Sequence, residues 1–496
     1  MTGAALLDAS TDDRRIALAV FATAWVSYAY FQHGGNWGGN ALWDLVRAVV
    51  ERGTIRIDDF VANTGDWSSF GGHFYAAKNP GAGLIAVPVY ALYRLIVPGA
   101  FATFASGLAA VHLVTAFSWS LVSAIAAALL YLWLRRAFSP GASLAATAAS
   151  ALGSILFPYS SAANAQVLVA ACYVIAAYAV SRSGEERGGA WCALAGCAVG
   201  YAECTEPIAL IGIVAIMAMM AVRRTPVRGW MWFFAGAVPT ALLLGAYNLA
   251  AFGSPFVTSY AYQNPVFNTP GAVMGVFVPP SLSVLAAITV LPVRGLLWMS
   301  PVFAIAPLGI ALLWRNRDWR DIALVITVIA LASLLFNISY ATWHGGWCVG
   351  PRLLMPAMPF FAAAIAPVWD RFAATRAPIA LLVLIGVAIQ LMVSAVNPWA
   401  PQMAEVTNPL AQYIWTNISA GQTSINNYPM FGETPSLFAA RAWSLVSFEE
   451  RFAAYNLGEF VGLPGRASLV PLLAAWVGAA VRVRSPLRRL LSASRG

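Results

Sequence analysis

Charge is what this sequence has least of. Of its 496 residues only 10% are Asp, Glu, Lys or Arg, and 60% are hydrophobic. Ordinary soluble domains carry about 25% charged residues, so a string of soluble domains is excluded and a polytopic membrane protein remains. Lysine is nearly missing: Lys78 is the only one among 29 basic residues. The arginines fall in short clusters between apolar runs, with no basic stripe or stacking platform, so the net charge of +9 is not the footprint of a nucleic-acid partner. Cysteine is scarce as well. Cys172, Cys192, Cys197, Cys204 and Cys348 form no CxxC pair and mostly sit in apolar runs, which excludes a disulfide framework or a cysteine metal cage. No Walker loop, dinucleotide fingerprint or nucleophile elbow occurs in a credible context. His33, His73 and His344 lack metal-ligand spacing, so no metal and no cofactor is expected; a divalent ion at the acids has no convincing ligand set.

Long apolar runs are what the chain does have. A spanning helix needs about 20 apolar residues, and twelve candidate spans follow: 16–31, 109–134, 141–157, 164–181, 190–203, 206–222, 230–252, 296–314, 320–338, 352–369, 376–397 and 467–481. The first follows Asp12-Asp13-Arg14-Arg15 with no convincing cleavage site and reads as a retained signal anchor. Stretches 83–97 and 281–292 are apolar but short, with Pro88 and Pro292. Treating both as non-spanning places 19 of the 29 basic residues on one side, as expected of cytoplasmic loops. Both termini are then cytoplasmic. The expected fold is an all-α polytopic membrane protein of about 12 helices. Residues 1–400 form the transmembrane body with a long first extracytoplasmic loop, 32–108. A second outer loop covers 253–295. Residues 398–466 form an outer loop or small cap, and 467–496 a last span and basic tail. Within the first loop, Leu42, Leu45, Val46, Val49 and Val50 recur at helical spacing, the pattern of a helix lying in the interface, with Asp44, Arg47 and Glu51 on other faces.

Ionisable groups beside hydrocarbon are costly and are functional candidates. The first outer loop offers Asp44, Asp58, Asp59, Asp66, His73 and Lys78. Asp66 is a candidate general base or a turn residue after Gly65. Asp58 and Asp59 are adjacent, so in an extended segment at most one faces a site. Asp44 shares a helix with Arg47 and can pair with it. Glu203 and Glu206 are three apart before Pro207, placed to assist catalysis, bind a cation or cap the next helix. Lys78, Arg352 and Arg294 sit at outer mouths. Lysine supplies a point charge and arginine a fork, both suited to phosphate; snorkelling to lipid or pairing with a glutamate is the plainer alternative. His73, Tyr75, His344 and Trp347 complete the candidate substrate contacts.

The order of these features resembles the GT-C class of integral-membrane glycosyltransferases. One span is followed by a long outer loop with acids and then Gly71-Gly72-His73-Phe74-Tyr75-Ala76-Ala77-Lys78-Asn79-Pro80-Gly81. Further along come Tyr247-Asn248 with Phe252-Gly253-Ser254-Pro255, Arg294-Gly295-Leu296 with Ser300-Pro301, and Trp343-His344-Gly345-Gly346-Trp347 with Gly350-Pro351-Arg352. The likeness covers roughly residues 16–400. It implies a hexosyl- or pentosyltransferase that uses a polyprenyl-phosphate sugar donor and a glycan, lipid or protein acceptor. It also implies a bacterial inner (cytoplasmic) membrane location with the site facing the periplasm or exterior. In that class a first-loop aspartate acts as base and a Lys-Pro-Pro-type motif contacts donor phosphate. Lys78 matches that lysine, with Asn79 in place of the first proline. The usual acid directly after the first span is missing, its neighbourhood held by Asn36 and Asn40, which leaves Asp66, Asp58 and Asp59 as candidates. The rival reading is a transporter or flippase of an anionic lipid-linked glycan, without bond chemistry.

Overall fold

Backbone polar groups in a bilayer must be satisfied within the protein, and a helix satisfies them within one segment. In the computed structural model, which describes residues 10–401, 405–426 and 453–493, the chain is accordingly a multi-pass assembly of helices with two small two-stranded ribbons. The helices used below are α1 (Thr11–Ala29), α2 (Trp37–Arg47), α3 (Val87–Ile96), α4 (Phe104–Phe117), α5 (Trp119–Arg135), α6 (Pro140–Ala151), α7 (Ala165–Ser181), α8 (Gly188–Thr205), α9 (Leu210–Val222), α10 (Val227–Phe252), α11 (Leu282–Thr289), α12 (Ala306–Arg315), α13 (Arg320–Ile338), α14 (Met358–Ala363), α15 (Ile365–Arg371), α16 (Arg376–Val396) and α17 (Val470–Ala493). Among the described residues six helical stretches are long and apolar enough to cross a membrane: Phe104–Arg135, Val227–Phe252, Arg317–Ile338, Arg352–Arg371, Ala373–Val396 and Gly465–Ser492. Gly81–Ile96, Ala165–Ser181, Pro207–Val222 and Pro301–Arg315 are shorter apolar helices. α11, with 8 residues, rises only about 12 Å, too little to cross alone.

Several helices differ from the simple spans expected. The run 109–134 is broken at Ser118, whose backbone leaves the helical region (φ −120°, ψ −89°) while its hydroxyl donates to the Val114 carbonyl at 2.5 Å. Such local side-chain bonds compete with helix continuation. The stretch before α12 is a single turn followed by a 3-10 segment at Pro301–Ile305, and α14 is preceded by a 3-10 segment, Arg352–Ala357, containing Pro356. Proline lacks the amide that a continuous helix needs. The basic tail is not a loose end: α17 continues to Ala493, with Val483, Leu487 and Leu490 packed on Ile16, Ala17 and Tyr131. At that end Asp13 completes a capping box with Ser10 and takes Arg135 Nε at 2.7 Å, joining α1 to α5.

Asp44 does not sit on an outer face of α2. It is buried, its Oδ1 accepting from Asn63 Nδ2 at 3.2 Å, and Arg47 pairs instead with Glu51 at 2.8 Å. Loop 57–65 covers α2, so both of its faces are inside the protein, and burial holds the Asp44 carboxyl well above the usual carboxylate range. The second ribbon ties distant chain segments: β1 (Phe31–His33), directly after α1, pairs antiparallel with Ala454–Asn456. Much of the expected cap, 427–452, lies outside the described residues.

Helices α8 and α10 touch backbone to backbone. A Cβ at Gly196 would overlap the Phe233 carbonyl, and one at Gly236 the Ala193 carbonyl. Small residues allow this approach where no hydrophobic force separates helix from lipid. Gly196→Val is therefore expected to lower the thermal unfolding midpoint of the purified protein sharply or abolish folded yield. Gly184→Ala, with nothing within 4 Å of the added atom, leaves the midpoint unchanged; size-exclusion profiles and melting curves in detergent check both.

Candidate active site

A tight hairpin brings the two ends of one polar segment together. Gly71 and Gly72 both take positive φ (61° and 81°), the backbone that a two-residue hairpin turn of matching twist requires. The flanking strands β2 (Trp67–Phe70) and β3 (His73–Ala76) pair from Phe70↔His73 to Trp67↔Ala76. At the open end the Ala77 amide donates to the Asp66 carbonyl at 2.8 Å. Asp66 and Lys78, twelve apart in sequence, therefore become neighbours, with Lys78 Nζ 4.0 Å from Asp66 Oδ2.

Each flank of this pair is anchored by a different helix. Thr64 Oγ1 donates to the Trp37 carbonyl and accepts from the Asp66 amide, and Gly65 lies flat against the Trp37 ring, where a Cβ would come within 2.7 Å. These contacts set Asp66 beside the first turn of α2: a Cβ on Gly38 would lie 3.2 Å from Asp66 Oδ2. A helix N-terminus favours a carboxylate by about 0.3–1 kcal/mol. On the other flank the Lys78-Asn79-Pro80-Gly81 turn docks on the end of α8. Asn79 Nδ2 donates to the Glu203 carbonyl at 2.8 Å, Tyr201 OH donates to the Gly81 carbonyl at 2.6 Å, and a Cβ at Gly81 would lie 2.7 Å from the Cys204 carbonyl. Only glycine permits that approach.

Docking there brings Lys78 to Glu206, with Nζ 3.9 Å from Oε1. Glu206 is itself fixed. Gln166 Nε2 at the start of α7 donates to Oε1 at 3.2 Å, and Tyr260 OH from the loop after α10 donates to Oε2 at 2.7 Å. The Tyr260 ring lies 5.9 Å from Lys78 Nζ. Burial alone would push the ammonium toward its neutral form. Asp66 and Glu206, with help from Tyr340, outweigh it, so the Lys78 pKa is raised despite the opposing Arg352 charge. Tyr260 is driven up by burial first and then by Glu206, Tyr340 and Asp66, which keeps it a donor.

The remaining candidates separate into two groups. Asp58 accepts from the Phe74 amide at 2.6 Å and lies 2.8 Å from His73 Nδ1; Asp59 pairs with Arg52 at 2.9 Å. Both are exposed surface pairs. Tyr75 is buried against Phe252 with Tyr247 in a core cluster. The buried Arg294 spends its guanidinium on the carbonyls of His344, Gly346 and Val293 and so holds the turn 344–346 in place. In that turn His344 Nδ1 accepts from the Gly346 amide, and burial, then Arg294 and Arg352, lower its pKa, so it stays neutral. Trp347 belongs to the same turn and Trp343 stacks edge-on to His344. Arg352 differs from Arg294: its Nε is buried with no hydrogen-bond partner among the described residues. The Glu203 side chain likewise keeps an unpartnered buried Oε2. Gln166, Tyr260 and Tyr340 were not singled out in sequence; each is an isolated uncharged residue in an apolar or polar run, with no local signal. The cavity beside Asn36 and Asn40, also lined by His33 and Ser161, measures about 10 Å³, room for one water and not for a sugar. No cluster of three or more His, Cys, Asp or Glu that could hold a metal occurs among the described residues.

No protein-family model matches the sequence, and no curated protein does. Solved structures do match. ArnT from Cupriavidus metallidurans bound to undecaprenyl phosphate aligns with 96% of this chain and 73% of its own, at 15% identity and a TM-score of 0.49. The oligosaccharyltransferase AglB from Archaeoglobus fulgidus, in complex with an inhibitory peptide and a dolichol-phosphate, aligns with 86% of this chain at 14% identity and a TM-score of 0.51. The chain has a GT-C fold. It spans 61% of the length of AglB. Within this GT-C fold the Lys78 group lies at the end of the bundle where α7 begins, about 25 Å from the Arg182 end by the rise of 17 residues.

Because Lys78 is the sole lysine, acylation at its amine can be read without ambiguity by peptide mass spectrometry. In detergent at pH 8.5 it should react slowly. Asp66→Asn with Glu206→Gln removes the two carboxylate charges that raise its pKa and leaves burial to lower it, so acylation should speed by up to about tenfold for each unit of fall while the pKa stays above the working pH. An unchanged rate would mean that the carboxylates do not hold the charge.

Proposed function

We propose that this protein is a membrane glycosyltransferase that moves a sugar from a polyprenyl-phosphate carrier to a glycan, lipid or protein acceptor. The reaction is assigned to the extracytoplasmic face of a bacterial inner membrane. The observation that carries the reading is Lys78 suspended between two carboxylates, at 4.0 and 3.9 Å, rather than hydrogen-bonded to either. Such an ammonium is held charged yet can turn to an arriving anion. AglB, which shares the fold, is seen with a dolichol-phosphate, and a polyprenyl phosphate presents the same headgroup chemistry.

In this mechanism the donor phosphate draws Lys78 away from Asp66 and meets the Arg352 guanidinium. Glu206 stays locked by Gln166 and Tyr260. Asp66, relieved of its cation, accepts the proton of the acceptor nucleophile as that atom attacks the anomeric carbon. The bond from that carbon to the phosphate oxygen breaks, and the extra negative charge on the departing polyprenyl phosphate is met by Lys78 and Arg352. Preplaced charge of this kind is usually the largest single catalytic contribution. Asp66 is preferred over Asp58 and Asp59 because those two are engaged with His73 and Arg52 at the surface.

Transfer of radiolabelled sugar in proteoliposomes tests the assignment. Asp66→Asn reduces transfer by about 10²–10⁴-fold, the usual range for a general base, and Lys78→Ala by about 10²–10³-fold, as for loss of one preplaced donor to developing charge, while Asp58→Asn and Asp59→Asn leave it within about twofold. Wild-type turnover in Asp66→Asn would reject the base. Movement of a lipid-linked glycan across the bilayer with no transfer of sugar would favour the flippase instead.

A further inference from the structure

The second outer loop is chemically unlike the first. From Gly253 to Val293, 41 residues contain no Asp, Glu, Lys, Arg or His, whereas loop 32–108 holds Asp44, Arg47, Glu51, Arg52, Arg56, Asp58, Asp59, Asp66, Lys78 and Arg94, with His33 and His73. The uncharged loop has two parts. Its first part docks on the site: Ser68 Oγ donates to the Ser259 carbonyl, Tyr260 holds Glu206, and Asn264 bonds both the Trp67 and Gly65 carbonyls. Its second part projects outward as a narrow tip in which Val273 is 70% exposed and Met274 84% exposed. Met274 adopts a left-handed backbone (φ 54°), a position where glycine would be unstrained and a long apolar side chain is not.

The backbone of this tip is closed. Val273 and Phe277 exchange both amide–carbonyl bonds at 2.9 Å, and Ala272, Gly275 and Val276 donate within the same turn. The tip is then strapped to the end of α13: the Ala341 amide donates to the Val276 carbonyl and the Val278 amide to the Ser339 carbonyl. Of the seven amides from Ala272 to Val278, all but that of Met274 thus have a partner inside the protein. A water-facing loop has no need of such closure, but backbone entering a bilayer does. The exposed face of α13 before the tip bears Leu331 and Leu335, and Leu282 at the start of α11 is 80% exposed, so the neighbouring helices also present apolar side chains outward.

We propose that Val273 and Met274 are seated in the acyl–headgroup boundary of the outer leaflet, so that the loop carrying Tyr260 is anchored in lipid at one end and on the site at the other. The absence of charge over the whole loop favours a lipid surface over a soluble protein partner, whose interfaces carry a polar rim.

The test uses the full chain in phosphatidylethanolamine–phosphatidylglycerol vesicles. A spin label is placed at Met274→Cys in a Cys197→Ser background, Cys197 being the exposed cysteine. Collision with oxygen, which partitions into lipid, is compared with collision with a water-soluble nickel chelate. The label at 274 should collide several-fold more with oxygen relative to nickel than a label at Gln422→Cys, an exposed polar loop position. Equal nickel access at the two positions would overturn the proposal. So would protection from both reagents, the signature of a protein partner covering the tip. Val273→Cys reads the same face should Met274→Cys fail to fold.

Discussion

An ammonium group largely shielded from water needs negative charge close by, and the arrangement around Lys78, whose side chain is 22% exposed, follows from that requirement. Taking an ion out of water costs several kcal/mol even after relaxation. Here the cost is offset by two carboxylates that reach Lys78 from different directions. Asp66 comes from the other end of the β2–β3 hairpin and Glu206 from the end of α8. Each residue is positioned by neighbours of its own: Thr64 accepts from the Asp66 amide and sets it beside the start of α2, while Gln166 and Tyr260 donate to the Glu206 carboxylate. Five chain segments, at the start of α2, the hairpin, the start of α7, the end of α8 and the loop of Tyr260, are thereby fixed around one charge.

That balance gives the site its chemistry. A lysine hydrogen-bonded to one carboxylate would be a structural strut. A lysine about 4 Å from two carboxylates is held charged without being committed to either, and an incoming phosphate can take it over. Release of Lys78 is also what would make Asp66 a free proton acceptor, so binding of the donor and arming of the base become one event. The two arginines illustrate the difference between holding and reacting. Arg294 donates to three carbonyls and fixes a turn, while Arg352 Nε lies beside that turn with no hydrogen-bond partner among the described residues.

How much of this was legible in sequence varied with the physics behind each feature. Membrane class and helical fold followed from charge scarcity, because a bilayer leaves few alternatives. Lys78 stood out because it is the only lysine. Proline interruptions near Pro301 and Pro356 were visible as residues, yet they lay within runs apolar enough to read as single spans. The hairpin was missed although Phe70-Gly71-Gly72-His73 is a recognised two-residue turn signal; the surrounding polar residues masked the short strands. Asp44 was misplaced because helical periodicity assumes one wet face, and loop 57–65 removes it. Adjacency showed that Asp58 and Asp59 could not both face a site, but their pairing with His73 and Arg52 depends on the hairpin's register. Gln166, Tyr260 and Tyr340 reach the site only through tertiary packing, which no local pattern encodes.

The most direct measurement is a structure of the full chain in lipid with a polyprenyl phosphate bound. The account predicts phosphate oxygen within about 3 Å of Lys78 Nζ, the Arg352 guanidinium on the same phosphate, and Asp66 separated from Lys78 while Glu206 keeps its bonds to Gln166 and Tyr260. A phosphate bound elsewhere, with Lys78 still resting between Asp66 and Glu206, would contradict it.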